Sequence, residues 1–581
     1  MYNDSWMLYG VRKNKACVLL TLGPRRISRF RTIVSRRSRT GRETMIPRLL
    51  VALGLAFLPS GILAGSAQKP NIELPNSAAA NKAAVVDIFT KSYEGYRKFA
   101  FGHDSLLPLS ESFTDDRNGW GASIVDGMST MAIMGLDDFL EEAVEFSSKI
   151  DFSESKTAST VSVFETTIRY LGGLLSAYEL TGKKHQALID RARELGDKLA
   201  FAFSRNNVIP FSFLDFSSDR PSIGNSNIAE AGTLALEWET LSKYTGNRTY
   251  ADLAIKALAH IAELPAPLPK LAAQGIDPRT GAFVGGYVSW GGGSDSYFEY
   301  LIKHARLSNT NDNLFVDSWL TAIDSSIKTL LRTSTVGNHV YLADFDSNRR
   351  IRHVGSHLAC FDGGNWILGG RLLDNQTIVD IGLQLTDACW NTYAGTQTGI
   401  GPEGFAFISD DGDFTGGSSP TQAQLDFYKQ HGFYITSGAY ILRPEVLESN
   451  FYAFRATGDQ KYLDRAAAAV KSFNEHLATQ NGFAGLNNVN NAAGGLRDHT
   501  ESFWFAEVLK YLYLTFDDPE HIHLDKYVFN TEAHPFEAPA FATTSGKVVP
   551  PKPGFVVQSP DAPLPLISPH PMLPSTSRTG Q

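Results

Sequence analysis

Hydrophobic residues follow a helical period along most of the chain, and strand-like alternation is scarce. This pattern begins near residue 82 and continues to about residue 537. Its plainest example is VSVFETTIRYLGGLLSAYELTG at 161–182, which is apolar on nearly every side, as is typical of a helix buried all round. The same segment carries Glu165 and Arg169 one helical turn apart, near its start. The pattern therefore predicts a helical body with charged residues inside it.

Three segments repeat one arrangement, in which a glutamate is followed by an apolar helix and then by Thr-Gly. They are ETTIRYLGGLLSAYELTGKKH, AEAGTLALEWETLSKYTGNRTY and RPEVLESNFYAFRATGDQKY. Glycine at this place favours a left-handed helix cap, so a second helix runs back and each segment forms a helical hairpin. TESFWFAEVLKYLYLTF, from Thr500, resembles the first half of such a unit. Hairpins with such apolar inner helices can close into a ring, so we expect an all-α toroid of (α/α) hairpins.

In such a ring the starts of the inner helices converge at one mouth. The glutamates that begin the repeated segments would then meet there, and a helix N-terminus favours an ionised carboxylate. These residues are Glu165, Glu230, Glu445 and Glu501.

Further acids also have apolar or aromatic neighbours, namely Asp295, Glu403, Glu448 and Glu532. Burying many acids is costly unless arginines, a cation or shared protons compensate them, and Arg169 and Arg443 are candidate partners. Two acids flanking a sugar can cleave a glycosidic bond, and a surplus of acids suits a hard cation such as Ca²⁺. For any single acid, a helix cap or a structural ion pair is the alternative interpretation.

The charge distribution changes the expected partners. Residues 1–48 hold 12 Lys and Arg against 2 Asp and Glu, which leaves 41 basic and 59 acidic residues in the remainder of the chain. A body this acidic should repel nucleic acid and anionic membranes. The sequence also has no His/Cys cluster with zinc spacing, no phosphate-binding loop and no dinucleotide fingerprint.

Composition divides the chain into five parts. Residues 1–44 are a basic extension, either upstream of the working initiator or a targeting arm. Residues 45–67 have the three-part layout of a secretory signal, either cleaved or retained as an anchor. A polar linker at 68–81 precedes a single domain at 82–537, and a proline-rich tail at 538–581 is expected to be disordered.

We therefore expect a monomer that is secreted or resides in the lumen of the ER or Golgi, with membrane contact only if the signal is retained. In an exported body, Cys360 and Cys389 favour a disulfide over two buried thiols. Sequons at Asn247 and Asn375 predict N-glycosylation.

Seven motifs resemble, in order, those of glycoside hydrolase family 47, the class I α-1,2-mannosidases. They are GHDSLLP, GWGASIVDGMSTMAIMGLDDF, VSVFETTIRYLGGLLSAYELTG, SDSYFEYLIK, LRPEVLESNFYAFRATGD, ESFWFAEVLKYLYLTF and VFNTEAHP. The resemblance extends from about residue 82 to 536. It implies an (α/α)7 barrel, inverting removal of terminal α-1,2-linked mannose from high-mannose N-glycans, and an essential Ca²⁺.

The resemblance also implies catalytic roles for four acids. Glu165 matches the family's general acid, with Arg169 holding it or the substrate. Asp295 and Glu445 match the two acids proposed to activate water, without settling which of them does so. Glu403 matches a further catalytic position.

The remaining matched positions concern the cation, the substrate and the disulfide. Thr531 resembles the residue that ligates Ca²⁺ directly, through its hydroxyl and carbonyl. Cys360 and Cys389 match the family's disulfide. The residues expected to hold the sugar or the waters of the cation are Arg169, Glu230, His357, Arg443, Glu501 and Glu532.

Two departures and two alternatives accompany the resemblance. Members specialised for the ER have an arginine where this chain has Gly293, so we expect the pocket to accept more glycan branches. The loop at 404–436 is long, and contacts cannot be transferred to it. A lectin-like protein that binds mannose without cleaving it is one alternative function, and the intact acids at the four catalytic positions argue against it. A helical-repeat scaffold is the other, but it does not explain the acids at the starts of the hairpins.

Overall fold

The computed structural model describes residues 63, 65–203, 207–310 and 312–541. The predicted basic extension, most of the predicted signal and all but the first four residues of the predicted tail lie outside the described residues. In the part that is described, no helix combines the length and apolarity needed to cross a membrane.

Helices dominate the described residues. They are α1 Ser77–Phe99, α2 Ala122–Met134, α3 Asp137–Ser147, α4 Val163–Thr166, α5 Gly172–Leu180, α6 Gln186–Leu199, α7 Ile228–Gly232, α8 Ala235–Thr245, α9 Thr249–Glu263, α10 Asp295–Ser308, α11 Leu314–Thr329, α12 Asp362–Leu372, α13 Gln376–Ala394, α14 Gln422–His431, α15 Glu445–Thr457, α16 Gln460–His476 and α17 Leu509–Phe516. Two π-helical turns, Thr167–Leu171 and Trp504–Val508, and two 3₁₀ turns, Ala200–Ala202 and Leu358–Phe361, complete the helical elements.

The helices form two concentric layers. Within the described residues, seven inner helices are buried on nearly all sides: α2, α5, α8, α10, α12, α15 and α17. Each contacts the next, and α17 returns to α2, so the inner layer closes into a ring. The outer helices α1, α3, α6, α9, α11, α13 and α16 bury one face only. The expected toroid of helical hairpins is confirmed as an (α/α)7 barrel.

The predicted glycine caps are present where inner helices turn into outer ones. Gly246 after α8 and Gly458 after α15 both adopt left-handed backbone, with φ of 72° and 68°. Only glycine adopts this conformation without a Cβ penalty. The cap therefore fixes the reversal that each hairpin needs.

Short strands connect the outer helices to the inner ones. They are β1 Ser105–Leu107, β2 Ser112–Thr114, β3 Val161–Ser162, β4 Phe213–Asp215, β5 Arg220–Pro221, β6 Ser226–Asn227, β7 Gly275–Asp277, β8 Ala282–Val284, β9 Leu331–Thr333, β10 Val340–Leu342, β11 Asp344–Phe345, β12 Ile351–Arg352, β13 Val354–Ser356, β14 Gly404–Ala406, β15 Tyr434–Ser437, β16 Ala478–Thr479, β17 Gly482–Phe483, β18 Tyr527–Phe529 and β19 Pro535–Glu537. All pair antiparallel, and β3-β4-β5, β6-β7-β8 and β13-β14-β15 form three-stranded sheets. Strands β1 to β17 each precede the start of an inner helix, so they surround the mouth of the ring.

The last hairpin, β18–β19, extends into the ring from α17. Its turn reaches the beginning of the inner layer, where Asn530 donates its side-chain amide to the Ile168 carbonyl at 2.9 Å. Strand β18 packs against α10 and β19 against α5. The turn of this hairpin carries Thr531 and Glu532 into the barrel centre.

The region before α1 packs on the body. The first helix begins at Ser77, five residues before the predicted boundary, and Gln68 is buried. The Gln68 side chain donates to the Pro519 carbonyl at 3.0 Å and accepts from Arg455 at 2.8 Å. At least the start of the segment expected as a polar linker is thus bound to the domain.

Arg455 stabilises the contact between the segment before α1 and the helical body. Its buried guanidinium donates to Gln68 and to the carbonyls of Pro519, Ile522 and Leu514, at 2.8 to 3.1 Å. Replacing Arg455 with methionine leaves these acceptors unsatisfied, so we expect the free energy of unfolding to fall by about 3–5 kcal/mol. Denaturant unfolding measures this loss, with Arg193→Met as the surface control because Arg193 is 59% exposed. Equal unfolding midpoints for the two variants would contradict the assigned role.

The predicted disulfide between Cys360 and Cys389 is present, with 5.8 Å between the Cα atoms. It joins the 3₁₀ turn before α12 to α13. The long loop at 404–436 is also ordered: it contains α14 and is bounded by the paired strands β14 and β15.

Candidate active site

A cavity of about 550 Å³ opens where the inner helices begin. Its wall is rich in ionisable groups partly because helices α4, α7, α10 and α15 each place an acid in their first turn. Its ionisable lining residues are Asp115, Asp116, Arg117, Glu165, Arg169, Glu230, Asp295, Glu299, Arg443, Glu445, Glu448, Glu507 and Glu532, and Thr531 lies among them.

The structure brings most of the predicted site residues to this cavity. The lining includes Glu165, Arg169, Glu230, Asp295, Arg443, Glu445, Thr531 and Glu532. Three predicted residues do not line the cavity but contact residues that do: His357 contacts Glu445, Glu403 contacts Arg443, and Glu501 lies close to Asp116.

Glu165 is held as an ionised carboxylate. Its helix starts at the Ser162 cap, whose hydroxyl accepts the Glu165 N–H, and Arg169 Nε lies 2.8 Å from Glu165 Oε2. Arg117 Nε is 3.7 Å from the same oxygen. Burial alone would raise the pKa of Glu165, but the two arginines outweigh it and hold the pKa below its usual value.

Arg169 lies in the first π-helical turn, and Glu507 lies in the second. Such turns insert an extra residue and often occur at functional sites. Arg169 also forms an ion pair with Glu532 and lies 3.5 Å from Asp126. One guanidinium thus connects three acids from three separate parts of the chain.

A fully buried polar chain supports Asp126 from behind. Lys510 donates to Ser129 Oγ at 2.8 Å, Ser129 is hydrogen-bonded to His534 Nδ1 at 2.9 Å, and His534 Nε2 lies 3.3 Å from Asp126 Oδ1. Burial lowers the pKa of His534 to about 4, so its imidazole is neutral. This chain fixes Asp126, and through it Arg169, in one orientation.

Glu445, the first residue of α15, has a second set of partners. His357 Nδ1 lies 2.6 Å from Glu445 Oε2, and the other ring nitrogen lies 2.7 Å from the Tyr393 hydroxyl. Burial would raise the pKa of Glu445, but His357 and Arg443 outweigh burial and lower it. Arg443 donates to Glu403 Oε2 at 2.6 Å, so Glu403 orients the arginine from outside the cavity.

Asp295, the first residue of α10, has the opposite electrostatics. Its carboxylate accepts the Ser296 N–H at 2.8 Å. Burial, assisted by the neighbouring charges of Glu299 and Glu445, raises the pKa of Asp295 to about 7. Asp295 therefore holds a proton at mildly acidic pH, when Glu165 and Glu445 are ionised.

Three more acids line the floor of this cavity: Glu448, which the sequence marked only as an acid with apolar neighbours, and Glu299 and Glu507, which it did not single out. Burial raises the pKa of Glu448 to about 8, and burial together with Glu532, Glu445 and Glu448 raises that of Glu507 well above its usual range. Too little positive charge therefore lies near Glu448 and Glu507 to keep both carboxylates ionised. Helical spacing offered a signal, because Glu299 and Glu448 follow assigned acids by four and three residues.

This excess of buried carboxylates around Thr531 fits a hard divalent cation. Carboxylate, hydroxyl and carbonyl oxygens are the ligands that Ca²⁺ prefers, and an added positive charge would remove the repulsion that disfavours ionisation of Glu507. The donor set contains no imidazole or thiolate, which would have suited zinc instead.

A second cluster of possible metal ligands lies at the rim. Ligand atoms of Asp116, His499 and Glu501 are within 4.8 Å of one another. Burial opposes protonation of His499, but the two acids outweigh it and raise its pKa. A protonated His499 compensates both acids, so this cluster is already neutralised in part.

Gly293 also lines the cavity, at the position where the ER-type pattern has an arginine. Its φ is +85°, and a Cβ there would lie 3.0 Å from the Gln274 side chain. A larger residue at Gly293 would therefore be strained in this backbone. The wall here is formed by backbone atoms, which leaves the cavity wider.

Comparison with known proteins agrees with the motifs. The model of the family described as glycosyl hydrolase family 47 matches residues 88–538. A probable mannosyl-oligosaccharide α-1,2-mannosidase 1B of Aspergillus clavatus is 41% identical over 517 residues, covering 84% of this chain and 98% of the relative. The mannosyl-oligosaccharide α-1,2-mannosidase 1B of Aspergillus phoenicis is 39% identical over 509 residues, covering 84% and 97%.

Among solved structures, an α-1,2-mannosidase from Trichoderma reesei superposes with a TM-score of 0.77 at 38% sequence identity. The match covers 79% of this chain and 99% of that structure.

Proposed function

Because the chain belongs to glycosyl hydrolase family 47 and is an α-1,2-mannosidase, we propose that it is an inverting, Ca²⁺-dependent exo-enzyme acting on high-mannose N-glycans. The observation that supports this most strongly is the gathering of Glu165, Asp295, Glu445 and Thr531 in one cavity. These residues come from four separate parts of the sequence. A lectin-like protein would not require that the pKa of Asp295 be raised while those of Glu165 and Glu445 are lowered.

The proton donor in the proposed mechanism is Asp295. A general acid must hold its proton before the reaction, and Asp295 does so because burial raises its pKa to about 7. The family resemblance gives the donor role to Glu165, and the lowered pKa that its two arginines impose is the observation that leads us to propose Asp295 instead. We therefore assign Glu165 to holding Arg169 and the substrate, and Asp295 to protonating the glycosidic oxygen.

The base in the proposed mechanism is Glu445. Its pKa is lowered, so it is ionised at the pH where Asp295 remains protonated. His357 fixes one carboxylate oxygen of Glu445 and leaves the other directed toward Arg443 and the cavity. Glu445 then removes a proton from the water that attacks the sugar, and no covalent sugar intermediate forms.

We propose Thr531 as the direct Ca²⁺ ligand, with Glu507 and Glu532 holding the cation's waters. When bound, Ca²⁺ supplies coordination to hydroxyl oxygens of a sugar and compensates nearby carboxylates. Glu448, Glu501 and Glu230 complete the acidic surroundings that would orient hydroxyl groups of the terminal mannose.

The proposed setting is the secretory pathway, either secreted or in the ER or Golgi lumen, with a high-mannose glycoprotein as partner. Asn247 is exposed, as a glycosylation site requires. Asn375 is half-buried and caps α13 through its side-chain oxygen, which leaves its amide nitrogen as the group to be modified.

Digestion of a nine-mannose N-glycan tests the proposed substrate. We expect removal of terminal α-1,2-linked mannose units from more than one branch, because no side chain at Gly293 narrows the cavity. Identification of the products by branch measures this. Cleavage of free mannobiose with no action on the glycan would contradict the proposed substrate class.

The assignment of Asp295 predicts a particular pH dependence. The kcat/KM for an α-1,2-linked mannobiose should decline as pH rises through about 7, because Asp295 then loses the proton it must donate. At low pH it should decline again as Glu445 becomes protonated. Rate measurements from pH 3 to 9 check both limbs.

A substrate whose leaving group departs without being protonated distinguishes the proposed role of Asp295 from that of Glu165. Asp295→Asn should lose about 100-fold on mannobiose and recover most of that loss on α-mannosyl fluoride. Glu165→Gln should lose activity on both substrates. Recovery of Glu165→Gln instead of Asp295→Asn would return the donor role to Glu165.

A further inference from the structure

Large hydrophobic side chains are exposed at several places among the described residues. They are Phe101, Leu109, Phe113, Phe201, Phe213, Ile223 and Val284. Of these, only Phe213 lines the acidic cavity. Its side chain is 42% exposed, so an aromatic ring faces water beside a cluster of carboxylates. Exposed aromatic surface is unfavourable in water and gains free energy when a ligand covers it.

The ring of Phe213 is fixed to the wall that carries Glu165. Phe213 begins β4 and lies directly opposite Ser162 in β3, the residue that caps the helix of Glu165. Its carbonyl accepts the Ser222 N–H at 2.8 Å on the other side. Opposed residues in an antiparallel pair have Cβ atoms about 5 Å apart. The backbone therefore holds Phe213 at a set distance from the helix that presents Glu165.

The exposure of the lining residues increases from the floor of the cavity to its rim. Glu507 and Glu532 at the floor are buried, Glu165 and Asp295 are half-buried, and Phe213 is exposed. A terminal mannose that reaches the acids must have its glycosidic bond near Asp295 and Glu165. The sugar on the leaving-group side then lies further out, at the level of Phe213.

We propose that Phe213 is a stacking platform for the mannose unit on the leaving-group side of the cleaved bond. Pyranose rings have an apolar C–H face that can cover an aromatic ring, while their hydroxyl groups remain hydrogen-bonded at the polar rim. The rim supplies such groups from the exposed residues Ser159 and Thr160. This proposal rests on the proposed function, because it specifies how the same site holds the remainder of its substrate.

Two parts of the site would therefore recognise two different sugar units of the substrate. The buried acids recognise the terminal mannose, and Phe213 binds the next sugar without requiring a particular hydroxyl pattern. A flat ring accepts several orientations of the outer sugar. Together with the open wall at Gly293, this would allow several glycan branches to enter.

The experiment compares one substrate that has the outer sugar with one that lacks it. For Phe213→Ala, kcat/KM on the nine-mannose oligosaccharide, relative to kcat/KM on α-mannosyl fluoride, should fall about fivefold to tenfold. Most of the fall should be in KM, because stacking holds the ground state and the transition state alike. Phe213→Tyr should restore the ratio, since it keeps the ring.

Phe201→Ala is the matched control, because Phe201 is also exposed but does not line the cavity. Its ratio should equal that of the wild type. An unchanged ratio for Phe213→Ala, or a loss of the same size on both substrates, would overturn the platform, as would failure of Phe213→Tyr to restore the ratio. If the wild type released no mannose from the oligosaccharide while hydrolysing the fluoride, the proposed glycan substrate would fail, and the platform with it.

Discussion

Replacing Glu445 with glutamine is expected to lower mannose release from an α-1,2-linked substrate by about 10³-fold, within the range found for general bases. Glutamine keeps the shape of the side chain but cannot accept the proton of the attacking water. The hydrogen bond to His357 can persist through the amide oxygen, so the cavity should retain its geometry. Turnover of α-1,2-mannobiose, with the unfolding midpoint as a check on the fold, measures the effect.

The chain offers a closely matched control in Glu239→Gln. Glu239 forms the same kind of pair, with His304 Nε2 at 2.7 Å, but it does not line the cavity. Its replacement should disturb stability by a similar amount and leave turnover near the wild-type value. If Glu445→Gln retained more than about a tenth of the wild-type rate, Glu445 would not be the base.

Removing bound divalent cations with a chelator is expected to reduce activity by at least about 10³-fold, with recovery on addition of Ca²⁺ but not Mg²⁺. The physical reason is the uncompensated charge of the floor, where repulsion and burial keep Glu507 from ionising. A second readout does not depend on activity: Ca²⁺ at 100 times its Kd should raise the free energy of unfolding by about 2.7 kcal/mol.

Two variants decide which cluster binds the cation. Thr531→Val removes the proposed hydroxyl ligand and should weaken the Ca²⁺-dependent stabilisation. His499→Gln alters the rim cluster with Asp116 and Glu501 and should leave that stabilisation intact. The reverse pattern would move the cation from the floor to the rim.

The parts of the fold that follow from local chemistry could be predicted. A glutamate at the start of an apolar helix and Thr-Gly at its end identified the hairpins, and the left-handed caps at Gly246 and Gly458 confirm that interpretation. The number of hairpins came from the family resemblance, because it does not depend on local periodicity. The pairing of Cys360 with Cys389 was already favoured by their being the two cysteines of an exported body, and the resemblance supported it.

What could not be predicted depends on the closure of the ring. Glu507 lies in the middle of an apolar segment, and it meets Glu532 only because the β18–β19 hairpin that follows α17 turns back into the ring. Arg169 and Glu507 lie in π-helical turns, and the pattern of hydrophobic residues does not predict these turns. Protonation is also a property of the assembled site: Glu165 and Asp295 look equivalent in the sequence and have pKa values shifted in opposite directions.

The central claim is that water activated by Glu445 attacks the sugar directly while Asp295 protonates the departing oxygen. Proton NMR of the first mannose released from an α-1,2-linked mannobiose tests this claim, because the spectrum distinguishes the two anomers before they interconvert. Direct attack predicts β-mannose as the first product. Initial formation of α-mannose would indicate two successive displacements through a covalent intermediate and would contradict the account.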